Sequence, residues 1–297
     1  MATSLENQEL KPELFHNAII TWYELSARDL PWRHPQSSAW SILVCEVMSQ
    51  QTPVNRVLPA WERWMERWPT PDSLAQASPA EVLIAWDRLG YPRRALRLQE
   101  CAKAVVAKYH GELPRTREEL LTLPGVGEYT ADAVLAFAFH LHSVVLDTNI
   151  RRVLARWNGQ ALPAVHQTKA ERSHAAKFVP KVPDRAWLWN ASIMEFGALI
   201  CTARDPKCEQ CPVQQSCTWF QTGKPKDSFA HMRKTQKFIG TQREARGKIM
   251  AQLRLHQSLT ELELLELSTL SKERFTAAVD SLCQDGLIRK NNDRYSL

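Results

Sequence analysis

Cys201, Cys208, Cys211 and Cys217 fall within seventeen residues at the spacing C-x6-C-x2-C-x5-C. Four thiols this close in sequence favour a metal centre over a disulfide framework, because one compact loop converges all four sulfurs on one cofactor. The spacing suits a [4Fe–4S] cluster. Structural zinc is the alternative, but zinc sites more often join two C-x2-C knuckles from separate segments, and Cys208 to Cys211 makes the one such knuckle here.

Seven cysteines without a recognisable signal peptide point to a reducing interior compartment, and a cytoplasmic, nucleoid-associated location is expected. Met1 to Gln8 has neither a basic start nor an apolar core, and no run is long enough to span a membrane. At 297 residues and 44% hydrophobic the chain buries a sizeable core and holds two or three domains. The net charge of +6 fits a polyanionic partner without proving one. Cys45, Cys101 and Cys283 sit in apolar helical contexts and read as buried small hydrophobes.

Apolar residues recur at three- and four-residue steps in segments such as 19–25, 57–68, 95–109, 131–139 and 150–157, with breaks at prolines between them. The body is therefore expected to be all-α. From Gln221 to Lys248 eight Lys or Arg face two acidic residues, which reads as a basic linker over 221–248. Beyond it, 249–256, 261–267 and 272–284 predict three short helices. Residues 287–289 and 294–296 then predict a hairpin, giving a winged-helix-like module over 249–297. Either that module binds DNA or it is a packing cap with no ligand of its own.

Leu123-Pro124-Gly125-Val126-Gly127 stands between two predicted helices. Glycines two apart permit a tight turn with positive φ and leave backbone N–H groups bare at a helix N-terminus. Such a turn can hold a phosphate oxygen without reading sequence, although a lone GxG is usually only a turn. Glu46 lies inside Ile42-Leu43-Val44-Cys45-Glu46-Val47-Met48, where poor solvation should raise its pKa and let it hold a proton near neutral pH. An exposed Glu on a polar face is the bland alternative. Asp147 follows Val144-Val145-Leu146 and opens a helix, so it is expected to be an N-cap and to stay ionised. Two carboxyls pushed apart in this way suit acid-assisted cleavage of a glycosidic bond.

The chain resembles the helix–hairpin–helix DNA glycosylases that carry an iron–sulfur loop, and within them the adenine DNA glycosylases of the MutY type. The matching stretches are Leu30-Pro31-Trp32-Arg33, 41–52, Leu89-Gly90-Tyr91, 123–130, 147–153 and 190–217, in family order over residues 15–220. The resemblance implies a six-helix barrel with its hairpin at 37–140. It implies an iron–sulfur domain formed from 9–36 and 141–220. Glu46 would then be the general acid that protonates adenine at N7. Asp147 would steady the oxocarbenium ion and the incoming water, or form a transient covalent adduct. Tyr129 would shape the catalytic pocket. Trp32, Arg33 and Glu195 would line or support the adenine site, and Gln51, Thr52 and Tyr91 would probe or wedge beside the orphaned base. Gly125 and Gly127 would hold DNA phosphate.

The implied substrate is double-stranded DNA with adenine mispaired with 8-oxoguanine or guanine, met by a monomer. Bifunctional relatives place a lysine after the hairpin; here it continues Glu128-Tyr129, which predicts base removal without strand cleavage. Tyr91 is followed by Pro92, where many relatives carry a second tyrosine. The chain ends at Leu297 with the small module, where many relatives carry a longer β-rich domain that recognises 8-oxoguanine. The opposite-base preference is therefore implied by the resemblance alone. Two rivals are a thymine or uracil mismatch glycosylase on the same scaffold and a non-catalytic iron–sulfur DNA-binding regulator. A buried acid suits a purine leaving group and argues against the first; two carboxyls in opposed settings argue against the second.

Overall fold

The structure is a computed structural model that describes residues 12–233 and 237–297. Met1–Gln8, the first residues of the expected segment from 9, and Lys234, Thr235 and Gln236 of the expected linker lie outside the described residues. The fold is all-α in its body, as the spacing of apolar residues predicts, with a small sheet near the C-terminus. The chain divides into two compact units, one comprising Met1–Pro35 and Ala131–Lys234, the other Gln36–Thr130 and Thr235–Leu297.

The second unit is built on the helices Ala39–Ser49, Val54–Arg67, Pro71–Ala75, Pro79–Trp86 and Arg93–Tyr109. Ala39–Ser49 starts where the Ser38 side chain accepts from the Ser41 N–H. Every residue from Trp40 to Met48 is buried. A helix apolar all round has to run through a core, so Glu46 has no solvent face to occupy. The two short helices that follow are started by capping boxes at Thr70 and Ser78, each with proline at the first helical position. Trp64, from Val54–Arg67, meets Trp86, from Pro79–Trp86, edge to face with ring centroids 5.6 Å apart.

The C-terminal module belongs to this unit. Its helices are Gln242–His256, Glu261–Ser268 and Lys272–Gln284, and its strands are β1 (Ser258–Thr260), β2 (Arg289–Asn291) and β3 (Arg294–Ser296). The sheet order is β1-β3-β2, antiparallel throughout. Two features depart from expectation. The last part of the predicted basic linker is already helix from Gln242, because Thr241 caps the Glu244 N–H and Ala245, Ile249 and Leu253 supply a buried stripe. β1 is not predicted by the sequence: three residues carry no periodicity of their own, and Leu259 is buried in the module's core opposite Tyr295. Leu83, from the helix Pro79–Trp86, is part of the module's own core with Ile249, Leu253, Phe275 and Leu282.

The first unit packs Pro12–Ser26 and Thr148–Trp157 against the long helix Pro183–Leu199. Phe15 stacks on Trp157 at 3.9 Å and meets Trp189 edge-on at 5.3 Å. Gly197 sets the spacing of the last two helices, since a Cβ there would stand 2.8 Å from the Asn149 Cβ.

Candidate active site

In the second unit, Glu46 is 9% exposed and accepts a hydrogen bond of 2.8 Å from the Tyr129 hydroxyl. Tyr129 is the second residue of the helix Glu128–Phe139, which the hairpin delivers. An acid on a core helix is thereby oriented by a hydroxyl that the hairpin delivers. One turn further on, Gln50 donates to the Thr130 hydroxyl at 3.4 Å.

Arg94 organises the loops beside them. Its Nη1 donates to the carbonyls of Val47 (2.8 Å) and Gln50 (2.6 Å), and its Nη2 to those of Leu89 (3.1 Å) and Gly90 (3.0 Å). The carbonyls at the end of a helix have no partner within it, so one planar five-donor group satisfies them and ties two loops together. Burial lowers the Arg94 pKa to about 10, which leaves it charged at neutral pH. The two loops hold Gln51 (φ 56°), Asp87 (φ 43°) and Tyr91 (φ 48°) in the left-handed region, a strained conformation for such side chains that surrounding contacts must impose. Gln51 and Tyr91 are exposed, whereas Thr52 is buried and donates to the Leu89 carbonyl at 3.2 Å. Thr52 is thus a strut between the loops and not a surface probe. A cleft of about 340 Å³ opens there, lined by Gln50, Gln51, Tyr91, Arg94, Arg97 and Gly125 among others.

The hairpin differs from expectation in one glycine. Gly125 has φ 79° and a Cβ there would press on the Arg97 Cβ at 3.2 Å, so glycine is needed. Gly127 lacks a positive φ and has nothing within 4 Å of where a Cβ would sit. Its bareness leaves backbone open without serving the protein's own packing.

In the first unit, Asp147 caps the helix Thr148–Trp157: its Oδ1 accepts from the Ile150 N–H at 2.6 Å and its Oδ2 from the Asn149 side chain at 2.6 Å. Arg152 donates to the Asn149 Oδ1 (2.8 Å), the Gly197 carbonyl (2.6 Å) and the Cys201 carbonyl (2.7 Å). The sequence predicts that the helix N-terminus holds Asp147 ionised. Burial outweighs those hydrogen bonds and the charge of Arg152, and pushes the carboxyl up from the usual range. A cap position alone does not reveal how deeply the cap is enclosed.

Glu195 is 1% exposed and grips two arginines. Arg28 donates to it through Nε and Nη2, both at 2.7 Å, and Arg33 through Nη2 at 2.8 Å. Despite its burial these partners hold the Glu195 pKa down at about 2. Trp32 and Arg33 sit on the single turn Pro31–Arg33, which Glu195 anchors. Sequence reasoning names Arg33 and Glu195 but misses Arg28, Arg94, Asn149 and Arg152.

The four cysteines line one small, mostly apolar cavity together with Arg156, Ile200 and Trp219. Arg156, 4% exposed, points its Nη1 at the Cys201 sulfur from 3.2 Å and stacks over the Trp219 ring at 4.6 Å. Among the described residues no three His, Cys, Asp or Glu side chains stand close enough together to hold a single metal ion. Four thiols around a shared apolar space, with a buried cation on one sulfur, fit a larger anionic cluster better than zinc. Cys45 and Cys101 are buried as expected, while Cys283 is only half-buried.

Residues 44–181 match the model of the HhH-GPD superfamily base excision DNA repair proteins. Residues 201–217, from the first of the four cysteines to the last, match the iron–sulfur binding domain of endonuclease III, and the cofactor is a [4Fe–4S] cluster. The chain is 45% identical over 281 residues to an adenine DNA glycosylase of Mycolicibacterium smegmatis, covering 94% of each. It is 39% identical over 211 residues to that of Homo sapiens, covering 68% of this chain and 39% of the human protein. Among solved structures, a thermostable thymine-DNA glycosylase aligns with TM-score 0.64 and 31% identity over 71% of this chain and 97% of its own. A non-covalent endonuclease III–DNA complex aligns with TM-score 0.60 at 24% identity, covering 72% of this chain and 98% of that one, a likeness of fold.

Proposed function

The chain belongs to the adenine DNA glycosylases, base-excision-repair enzymes that hydrolyse N-glycosyl bonds, and we propose that it removes adenine mispaired with 8-oxoguanine or guanine and leaves an abasic site without cutting the strand. The observation that carries this reading is the buried Glu46 carboxyl held by Tyr129 at 2.8 Å.

The target adenine has to leave the base stack, at a cost of a few kcal/mol that backbone and pocket contacts offset. Bare N–H groups at Gly125 and Gly127 hold a phosphate beside the helix Glu128–Phe139. Glu46 then gives its proton to N7. The glycosidic electron pair leaves with the now neutral adenine, and positive charge develops on the sugar. Asp147 answers that charge and orients the water that attacks C1′, and the proton that water loses passes to the carboxylate left on Glu46. A cation appearing next to Asp147 favours its ionised form, which counters the upward push of burial. Gln51 and Tyr91, exposed side chains of the strained loops, meet the opposite base. The cluster holds the loop 201–217 in shape, and Arg156 neutralises part of its charge.

A thymine-DNA glycosylase among the structural neighbours supplies the competing reading. A pyrimidine leaves readily as an anion and has no need of a protonated acid, which Glu46 is placed to be. The experiment is release of free base from duplexes carrying adenine opposite 8-oxoguanine, guanine, cytosine or thymine, and thymine opposite guanine, at fixed salt. Release of adenine opposite 8-oxoguanine and guanine is expected. Release of thymine in its place would replace the reading.

A further inference from the structure

Arg243 of the C-terminal module reaches the loop that carries Tyr91. Tyr91 is 43% exposed, and the Nη1 of Arg243 donates to its hydroxyl at 2.8 Å. The same guanidinium lies 5.6 Å from the centroid of the Tyr91 ring, while Arg94 approaches that ring to 5.8 Å. Two cations therefore approach the ring, one from its own neighbourhood and one from the second residue of Gln242–His256. An exposed aromatic on a left-handed backbone gains orientation from such contacts, since cation–π and hydrogen-bond geometry both depend on ring angle.

Arg243 is itself fixed, because the module is docked around this loop. Arg93 pairs with Asp285, which also accepts from Arg246 at 2.6 Å. Arg254 donates to the Leu83 carbonyl at 3.2 Å, and the Leu83 side chain is buried in the module's core. The module is nearly neutral, with nine Lys or Arg against eight Asp or Glu over 241–297. Several of its cations are spent internally, Arg274 on Glu244 at 3.0 Å and Lys290 on Glu261 at 2.9 Å. A surface of that kind is poorly suited to gripping phosphates, whose attraction scales with the cations left for them.

We infer that Arg243 is a positioning residue for Tyr91, and that the C-terminal module serves to set the angle at which that ring meets the base opposite the target. The inference rests on the proposed role of Tyr91 in the glycosylase reaction.

The test uses the full chain with its cluster loaded. Single-turnover adenine release from adenine:8-oxoguanine and adenine:guanine duplexes is compared for wild type, Arg243→Ala, Tyr91→Ala and the double variant. In parallel, the ring resonance of Tyr91 is followed by NMR in the free protein. Removing the guanidinium should slow release by about tenfold or more, as expected for one charged hydrogen bond with a cation–π contact. That loss should vanish in the Tyr91→Ala background, and the Tyr91 resonance should move. A structural role alone would give the same loss in both backgrounds and overturn the inference, as would faster release by Arg243→Ala, which would make the contact a latch. An unmoved resonance would overturn it whatever the substrate proves to be. If the resonance moves but wild type releases no adenine, the glycosylase reading fails while the contact stands. If wild type releases adenine and Arg243→Ala matches it, the inference fails while the reading stands.

Discussion

Removing a single oxygen at Tyr129 tests how the acid is held. The Tyr129 hydroxyl donates to Glu46 at 2.8 Å, and Glu46 lies on a helix whose every residue from Trp40 to Met48 is buried. In the proposed step Glu46 becomes a carboxylate as its proton leaves, and a hydrogen bond to such a charged group contributes about 1.5–3 kcal/mol. At about 1.4 kcal/mol per factor of ten, Tyr129→Phe should slow adenine release by about ten- to a hundredfold. The ring stays, so the hairpin and helix should fold unchanged and DNA affinity should hold. The assay is single-turnover release with enzyme in excess, which separates chemistry from product release. Binding is measured in parallel by fluorescence anisotropy on a duplex with a non-hydrolysable adenosine analogue. A wild-type rate would refute the claim that this hydroxyl orients the acid. A loss far beyond a thousandfold would refute it too, because the hydroxyl would then have to act on the reacting atoms.

Three further outcomes follow from the geometry. Gly197→Ala places a Cβ 2.8 Å from the Asn149 Cβ, so Asn149 must shift from its 2.6 Å hold on Asp147; an overpacking cost of about 1–3 kcal/mol and a fall in release rate are expected with cluster absorbance retained, and unchanged kinetics would contradict this. The proposed mechanism needs Asp147 ionised, and burial raises its pKa in the free enzyme, so kcat/KM should fall as pH drops through that raised value, giving an acid limb above the usual aspartate range. A flat profile down to ordinary carboxylate pKa values would remove Asp147 from the step. Finally, the absence of lysine after the hairpin, where Glu128 and Tyr129 stand, predicts no borohydride-trapped adduct with an abasic duplex; a covalent band on a denaturing gel would show amine chemistry instead.

Local patterns carried most of what was readable beforehand. The cysteine spacing specifies a compact loop because its meaning lies in neighbours, and the apolar run around Glu46 shows burial because almost no polar position interrupts it. What stayed hidden depends on partners far away in sequence. Arg28 stands in an ordinary polar stretch, and only a fold that brings it 167 positions to Glu195 makes it structural. Arg94 looks like its neighbour Arg93, yet one caps a helix end and the other reaches Asp285. Thr52 reads as a surface probe until the Leu89 carbonyl is found beside it. The sequence shows Asp147 as a cap, but enclosure by residues from other elements pushes its pKa up, and no local motif encodes that.

The most direct measurement of the central claim is single-turnover release of adenine from an adenine:8-oxoguanine duplex by Glu46→Gln, with the [4Fe–4S] absorbance and duplex affinity recorded on the same preparation. Glutamine keeps the size and can still accept from Tyr129, but it has no proton to give N7. Binding and cluster should be intact, with release reduced by at least about a hundredfold, the lower reach of general-acid catalysis. Full release by this variant would mean that the proton comes from elsewhere, and the assignment of Glu46 as the acid would fall.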